Sequence, residues 1–308
     1  MKIPVIVGPT STGKTGLALE MCKKLNGQII SADSRQIYRH MDVGTGKIPL
    51  GEKEIIKHED YWEIAGINVW GYDIVNPGEY YSAYDFALFA LERAKKLIQE
   101  EKMPFLVGGT GLYIDFFTQK IQGNSLPPDF NYRKSLEKKN LQELQDLLTS
   151  LNLIANTSDF QNKHRLVRII ERNRSAPKIV ATPLPHLKNV KFVFIGLTAP
   201  RDFLYNRADL WVDSIWKKDK IVLEVEKLSS LGFINSVQLN GFIYSQAIDY
   251  KKGVMVREEA IQKTKFAVHS YIRRQETYFK KNSCIQWFDI SKDNLEQTIY
   301  NYFRNVEY

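Results

Sequence analysis

Gly8-Pro9-Thr10-Ser11-Thr12-Gly13-Lys14-Thr15 follows directly on the apolar run Ile3 to Val7 and reads G-x-x-x-x-G-K-[ST]. The two glycines let backbone N–H groups curl round phosphate oxygens, and a helix starting at Lys14 points the positive end of its dipole at the same anion. Lys14 adds a point charge where the outer phosphates sit, and the Thr15 hydroxyl is placed for Mg²⁺. Two Gly, one Lys and a Ser/Thr at these offsets arise by chance in roughly 1% of chains this long. The strand-like run before and the helix-like run after lower that further. Gly8 to Thr15 are therefore expected at a phosphate site.

Downstream, Lys14 to Leu25 carries Leu17, Leu19, Met21 and Leu25 in a helix-forming context, and Asn26-Gly27 is a helix stop. Gln28 to Ala32 reads as a second buried strand ending at Asp33. In an open α/β sheet function collects at the carboxyl ends of strands, and Asp33 falls there beside the phosphate loop. An Asp after a strand is also a common helix cap or turn residue, so the residues alone leave both roles open. Asp42 to Gly78 is irregular. Glu79 to Lys102 recovers helical spacing, and Pro104 to Val107 is a third strand leading into Gly108-Gly109-Thr110-Gly111 and a short helix, Leu112 to Thr118. This βαβαβ order predicts an α/β fold with a P-loop NTPase-like, three-layer parallel sheet core.

The middle of the chain changes character. Asn131 to Leu151 is a charged amphipathic helical region, Asn162 to Ile170 a helix with a basic face, and Asn173 to Val190, with Pro177, Pro183 and Pro185, a linker. Lys191 to Leu197 is then an apolar strand returning to the sheet. The expected organisation is a core in two parts, 1–122 and 189–308, with an inserted helical subdomain at 123–188. Pro200 to Leu228 and Arg257 to Lys281 are expected as long helices. Lys251 to Lys281 holds nine Lys/Arg against three Glu, a local balance of +6. Phe266, Tyr271, Tyr278 and Phe279 are interleaved with these cations, as on a nucleic-acid stacking surface or on the core face of an amphipathic helix.

With 308 residues, 44% apolar and 25% charged, the chain has the composition of a globular protein with a full core. A net charge of +8 suits a polyanionic partner and equally an ordinary solvated basic surface. Cys22 and Cys284 are too few and too far apart for a disulfide framework or zinc site and are expected as reduced thiols. No apolar run approaches membrane-spanning length and the N-terminus leads straight into the first strand. A cytoplasmic monomer without membrane contact is expected.

Taken together, three blocks resemble the tRNA dimethylallyltransferase family, also called tRNA isopentenyltransferases. They are the phosphate loop, Ile30-Ser31-Ala32-Asp33-Ser34-Arg35-Gln36-Ile37-Tyr38-Arg39 with Met41 to Lys47, and Val107-Gly108-Gly109-Thr110-Gly111-Leu112-Tyr113. His164-Arg165-Leu166-Val167-Arg168 and Tyr271 to Phe279 resemble two further family helices, so the likeness covers nearly the whole chain. It implies transfer of a dimethylallyl group from dimethylallyl diphosphate to N6 of the adenosine 3′ to a tRNA anticodon. The phosphate loop would hold the diphosphate with Mg²⁺ on Thr15, and Lys14 and Thr110 would lie at the reacting groups. Asp33 would be the general base, needed because the N6 lone pair is delocalised into the ring. The anticodon stem-loop would be contacted by Asp33, Ser34, Arg35, Gln36, Thr110, Arg133, His164, Arg165, Leu166, Val167, Arg168, Arg273 and Arg274, making 123–188 a tRNA-binding subdomain.

Some positions depart from the family pattern. His269 stands where an Arg would help hold diphosphate, with Arg273 or Arg274 as compensating cations. Val69 to Asp73 replaces a His-His-x-x-Asp segment, and Ala247-Ile248-Asp249-Tyr250 replaces Ala-Ile-Gly-Tyr. A small-metabolite or nucleoside kinase shares the phosphate loop but has no need of the Ser31 to Gln36 block or the basic helix. A non-catalytic RNA-binding protein would not need Lys14, Thr15, Asp33 and Thr110 intact. Prenylation of free adenine nucleotides would use the same donor site, without the basic helices.

Overall fold

A computed structural model gives the fold and describes residues 1–49, 54–121, 128–175 and 184–306. The chain divides into two compact units, Met1–Ile121 with Pro185–Tyr308, and Gln122–Leu184.

The larger unit is built on one eight-stranded sheet. Its strands are β1 (Lys2–Val7), β2 (Gly27–Ser31), β3 (Ile55–Lys57), β4 (Tyr61–Ile64), β5 (Ile67–Trp70), β6 (Met103–Gly108), β7 (Lys191–Thr198) and β8 (Gln286–Asp289). They lie in the order β3-β4-β5-β2-β6-β1-β7-β8. From β5 to β8 every pair is parallel, with Val5 opposite Leu106 on one side and Phe194 on the other. β1 is buried from Ile3 to Val7, the continuous apolar run of a strand covered on both faces.

Helix α1 (Lys14–Leu25) packs over β6 and α12 (Leu295–Asn305) packs on α1 and β8, and Leu19, Met21, Ile299 and Phe303 share one core cluster with Phe105 and Val107 of β6. The alternate residue Leu106 points to the opposite face, where α2 (Ala83–Gln99) crosses β6. Three layers result. α1 ends where Asn26, at φ 50°, turns the chain directly into β2. α2 starts at a capping box in which Ser82 Oγ accepts from Asp85 N at 3.1 Å and the Asp85 carboxylate accepts from Ser82 N at 2.8 Å. The expected strands after the phosphate loop all form, and because β2, β6 and β1 are neighbours, the loops after them share one end of the sheet.

The irregular stretch before Gly78 contains the antiparallel meander β3-β4-β5. Ala65 (φ 51°) and Gly66 (φ 78°) make the tight turn between β4 and β5. The long helix expected from Pro200 is two helices, α8 (Arg201–Trp216) and α9 (Lys220–Ser230), broken where Lys218 and Asp219 adopt φ 54° and 52°. α3 (Gly111–Phe117), α10 (Phe242–Lys251) and α11 (Arg257–Phe279) complete this unit. Cys22 and Cys284 are both free.

The smaller unit contains α4 (Phe130–Glu137), α5 (Leu141–Ser150), α6 (Thr157–Phe160) and α7 (Lys163–Ser175). The helical region beginning at Asn131 is interrupted at Asn140, whose side chain accepts from Glu143 N at 2.9 Å while Glu143 accepts from Asn140 N at 2.6 Å, starting α5 afresh. Helix α7 continues to Ser175, past the start expected for the linker, and residues 176–183 of that linker lie outside the described residues. Leu136, Leu144, Leu148, Leu166, Val167 and Ile170 form this unit's own core. Leu166 and Val167 are 0% and 2% exposed, which corrects the expectation that they touch tRNA: they face inward because they are the apolar stripe of α7.

One loop of the larger unit is held by buried charge. The Glu224 carboxylate accepts from the backbone N–H groups of Asp42 (2.8 Å), Val43 (2.6 Å) and Gly44 (3.0 Å), and from the Tyr244 hydroxyl (2.8 Å). A Cβ on Gly44 would sit 2.7 Å from the Tyr244 ring, so only glycine fits. Lys47, fully buried, donates to the Tyr38 carbonyl and to the carboxylates of Asp42 and Asp73, and Asp73 also accepts from Trp62 Nε1 at 2.7 Å. Lys47→Met should therefore cost about 3 kcal/mol, because it leaves two carboxylates without their buried cation. The urea midpoint is expected to fall with the slope unchanged; an unmoved midpoint would mean the pair is energetically neutral.

Candidate active site

The phosphate loop leaves β1 at Gly8, at φ 142°, where an added Cβ would lie 2.4 Å from the Leu197 carbonyl oxygen of the neighbouring strand. Ser11 (φ 67°) and Gly13 (φ 83°) turn the loop back on itself before α1. Inside it Thr12 Oγ1 donates to the Pro9 carbonyl at 2.8 Å, and Lys14 Nζ donates to the same oxygen at 2.7 Å. Thr12 is buried and serves the loop itself. Thr10, Ser11, Gly13, Lys14 and Thr15 line a cavity of about 430 Å³.

Asp33, after β2 on the far side of β6, lines the same cavity. Its Oδ1 accepts from Arg35 N at 2.9 Å, a local turn bond that leaves carboxylate capacity unused by that turn. Burial pushes its carboxyl upward, against the Arg35 amide and the Lys14 charge. Burial likewise brings Lys14 down from 10.5 to about 8, with Asp33 opposing. Each charge thus partly supports the other across the cavity floor. The donor set offered to a metal is the Thr15 hydroxyl and the Asp33 carboxylate, hard oxygens suited to Mg²⁺. No cluster of three His, Cys, Asp or Glu able to hold a metal occurs among the described residues, so phosphate oxygens of the bound substrate together with water would complete its shell.

Thr110 follows β6. Its Oγ1 accepts from Ser34 N at 2.9 Å, lies 3.2 Å from Ser34 Oγ, and shares a hydrogen bond with Tyr271. Ser34, Arg35 and Thr110 open onto a second cavity, also about 430 Å³, walled by Tyr38, Tyr81 and Tyr113. Arg35 borders both cavities. Gln36 borders the first, with its amide accepting from Ser31 Oγ at 2.7 Å and donating to the Thr45 carbonyl at 3.2 Å.

Residues that sequence reasoning did not single out complete the first cavity: Arg207, Leu210 and Trp211 from α8, and Gln275 from α11. Gln275 accepts from Thr10 N at 2.8 Å and donates to the Gly109 carbonyl at 3.0 Å. A Cβ on Gly109 would meet its amide nitrogen at 2.1 Å, which explains the glycine. Gln275 lay within a recognised block; Arg207 carried no spacing signal at all. Arg273 and Arg274 are exposed on α11 and line neither cavity. Arg273 donates to the Tyr205 hydroxyl at 3.0 Å and Ser270 Oγ at 2.7 Å. His269 stacks on Tyr205 with centroids 4.0 Å apart and bonds Asp209 at 2.8 Å.

In the smaller unit, considered by itself, His164 and Arg165 are exposed, and Arg165 pairs with Asp159 at 2.6 Å. Arg133 is half-buried and committed to Glu171 (2.9 Å), which also takes Arg168 at 3.4 Å. That carboxyl is pushed up by burial, against the pull of Arg168.

A family model described as IPP transferase matches residues 36–282, and one described as isopentenyl transferase matches residues 1–59. The tRNA dimethylallyltransferase of Acetivibrio thermocellus is 34% identical over 95% of this chain and 92% of its own. The chain belongs to the tRNA dimethylallyltransferase family. The enzyme of that name from Anoxybacillus flavithermus is 32% identical over 96% of this chain and 92% of its own. The crystal structure of a full-length tRNA isopentenylpyrophosphate transferase from Bacillus halodurans superposes with a TM-score of 0.70 at 31% identity, covering 98% of this chain and 95% of that one. The α/β fold is thus shared along the chain with solved members of the tRNA dimethylallyltransferase family.

The Lys14 shift makes a pH prediction. Below about pH 8 the folded state carries a partly desolvated ammonium, a penalty that fades as pH rises from about 8 towards 10.5. Anion binding needs that ammonium, so affinity for inorganic diphosphate should fall by up to about tenfold per pH unit above pH 8. In Lys14→Arg the guanidinium stays charged and this limb should vanish. Calorimetric titrations from pH 7 to 9.5 on both proteins check it; parallel profiles would show that another group titrates.

Proposed function

We propose that this chain transfers the dimethylallyl group of dimethylallyl diphosphate to N6 of the adenosine on the 3′ side of a tRNA anticodon. The observation that carries this reading is the shared cavity: a phosphate loop after β1 and a carboxylate, Asp33, after β2 face it from the two strands that flank β6, and Arg35 joins it to an aromatic-walled second cavity. Diphosphate would lie against the loop amides from Ser11 to Thr15 and the Lys14 ammonium, which stabilise the charge that grows as the C1–O bond breaks. Mg²⁺ held through Thr15 and phosphate oxygens would supply further neutralisation of the leaving group.

The acceptor adenine would enter past Thr110, from the side of Tyr38, Tyr81 and Tyr113. Anticodon loops are single-stranded enough to release a base at modest cost, and aromatic walls suit its faces. N6 forms its bond to C1 while the C1–O electron pair leaves with diphosphate, and Asp33 takes the N6 proton. Burial raises this carboxyl and so makes the carboxylate a better proton acceptor. Thr110 and Tyr271 hold Ser34 and the turn that presents Asp33. Exposed His164, Arg165, Arg273 and Arg274 are the side chains we assign to the tRNA backbone, with Arg133 of α4 and Arg168 of α7 engaged by Glu171 of α7. The enzyme would act in the cytoplasm, as a monomer.

Mass spectrometry of nucleosides from tRNA incubated with the protein, dimethylallyl diphosphate and Mg²⁺ tests the reaction; transfer of labelled γ-phosphate from ATP instead would mark a kinase. Asp33→Asn keeps shape and hydrogen bonding but removes the base, so single-turnover rates with prebound tRNA should fall by about 10²-fold to 10⁴-fold with donor affinity little changed. A loss below about fivefold would leave Asp33 as a turn residue only.

A further inference from the structure

We propose that Arg207 of α8 binds the donor's diphosphate together with Lys14, so that the anion is clamped between the phosphate loop and α8. The inference rests on the prenyl-transfer reading of the cavity and adds a binding residue from outside every recognised block. Arg207 lines the cavity, and its Nε donates to the Ser11 carbonyl at 2.8 Å. That single bond aims the guanidinium: a terminal nitrogen lies 3.8 Å from where a Cβ on Gly13 would stand, beside the first residue of α1. The centroid of the Phe203 ring, one turn earlier on α8, lies 5.9 Å from its guanidinium carbon.

The other cations bordering the cavity are already engaged. Lys47 is held by Asp42 and Asp73, and Arg35 donates to the Gln238 carbonyl at 2.6 Å. His269 is turned to Asp209, and neither it nor Arg273 nor Arg274 lines the cavity. For Arg207, the Ser11 carbonyl is the hydrogen-bond acceptor recorded among the described residues, and a carbonyl leaves the guanidinium charge uncompensated. A guanidinium has five donors, so a fork remains for phosphate oxygens after Nε is used. The Ser11 bond also makes the contact reciprocal: an anion drawn to Arg207 is presented to the loop that Arg207 positions.

The test compares wild type with Arg207→Gln and Arg207→Lys. Gln keeps a donor for the Ser11 carbonyl and removes the charge; Lys keeps the charge and removes the fork. Calorimetry with inorganic diphosphate and Mg²⁺ should show roughly 10-fold to 100-fold weaker binding for Gln, the range for losing a charged hydrogen bond, and an intermediate loss for Lys. KM for dimethylallyl diphosphate should rise by a similar factor, while the urea midpoint and tRNA affinity stay at wild-type values. If Gln binds diphosphate as tightly as wild type, Arg207 is only a strut for the loop and the proposal is overturned. A lower tRNA affinity and shallower salt slope with unchanged diphosphate binding would overturn it too, placing Arg207 on the nucleic acid. Should Gln unfold the protein, the Lys variant decides on the same titration. Wild-type modification of tRNA reports separately on the prenyl-transfer reading, so the two failures are distinguishable.

Discussion

The side-chain amide of Gln275 joins the phosphate loop to the loop after β6. Its two bonds, to Thr10 N and the Gly109 carbonyl, cross 265 and 166 positions of sequence. Each is worth about 1 kcal/mol net, but a buried amide left half-paired costs more, so both loops are locked to one helix or to neither. Packing of α11 on this segment explains two of its glycines. Gly109 admits the Gln275 amide, and Gly111 admits the Tyr278 ring at a position where a Cβ would lie 2.1 Å from it. The same helix brings Tyr271 to Thr110, and Thr110 holds the amide of Ser34 beside Asp33. The phosphate loop, the Asp33 carboxylate and Thr110 are thereby set by contacts with α11, an element near the end of the chain.

That scaffold lets the cavity carry charge under tension. Lys14 and Asp33 are both partly desolvated, and each shift is opposed by the other group. An oxyanion arriving at the loop relieves Lys14, while a proton arriving at Asp33 relieves the carboxylate. In the proposed reaction the first relief would come with donor binding and the second with transfer of the N6 proton to Asp33. Glu224 and Lys47 serve a different purpose. Their partners are all protein groups, they are nearly or fully buried, and they fix the 42–47 loop that walls the cavity.

The phosphate loop, the three strands β1, β2 and β6 and the helices between them were legible because their apolar runs are long and their stops are glycine or asparagine. β3 to β5 were not. They are three or four residues each, and Tyr61-Trp62-Glu63-Ile64 alternates too briefly to be told from a loop. The break between α8 and α9 was invisible for a related reason: Lys218 and Asp219 adopt left-handed φ without a glycine or proline to mark the place. Side chains in the site divide the same way. Lys14 and Thr15 were readable from motif spacing, Asp33 from its place after a strand and Thr110 from the family resemblance, whereas Arg207, Leu210 and Trp211 sit on an ordinary amphipathic helix and become neighbours of the loop only once α8 is packed.

Helix α11 settles the choice that its sequence left open between core face and nucleic-acid surface. Ala260, Thr264, Val268, Ile272, Gln275 and Phe279 recur every three or four residues and are buried, as a core stripe requires. Phe266 is 59% exposed and Tyr278 39%, on other parts of the circumference, along with Arg273 and Arg274. Tyr271 lies between these, turned into the cavity. A helix offers about 100° of arc per residue, so one 23-residue element has room for a core stripe, a cavity edge and a basic surface at once. Because the stripe that packs the helix includes the amide that holds both loops, any change that rotates or shifts α11 would move the donor site and the proposed tRNA surface together.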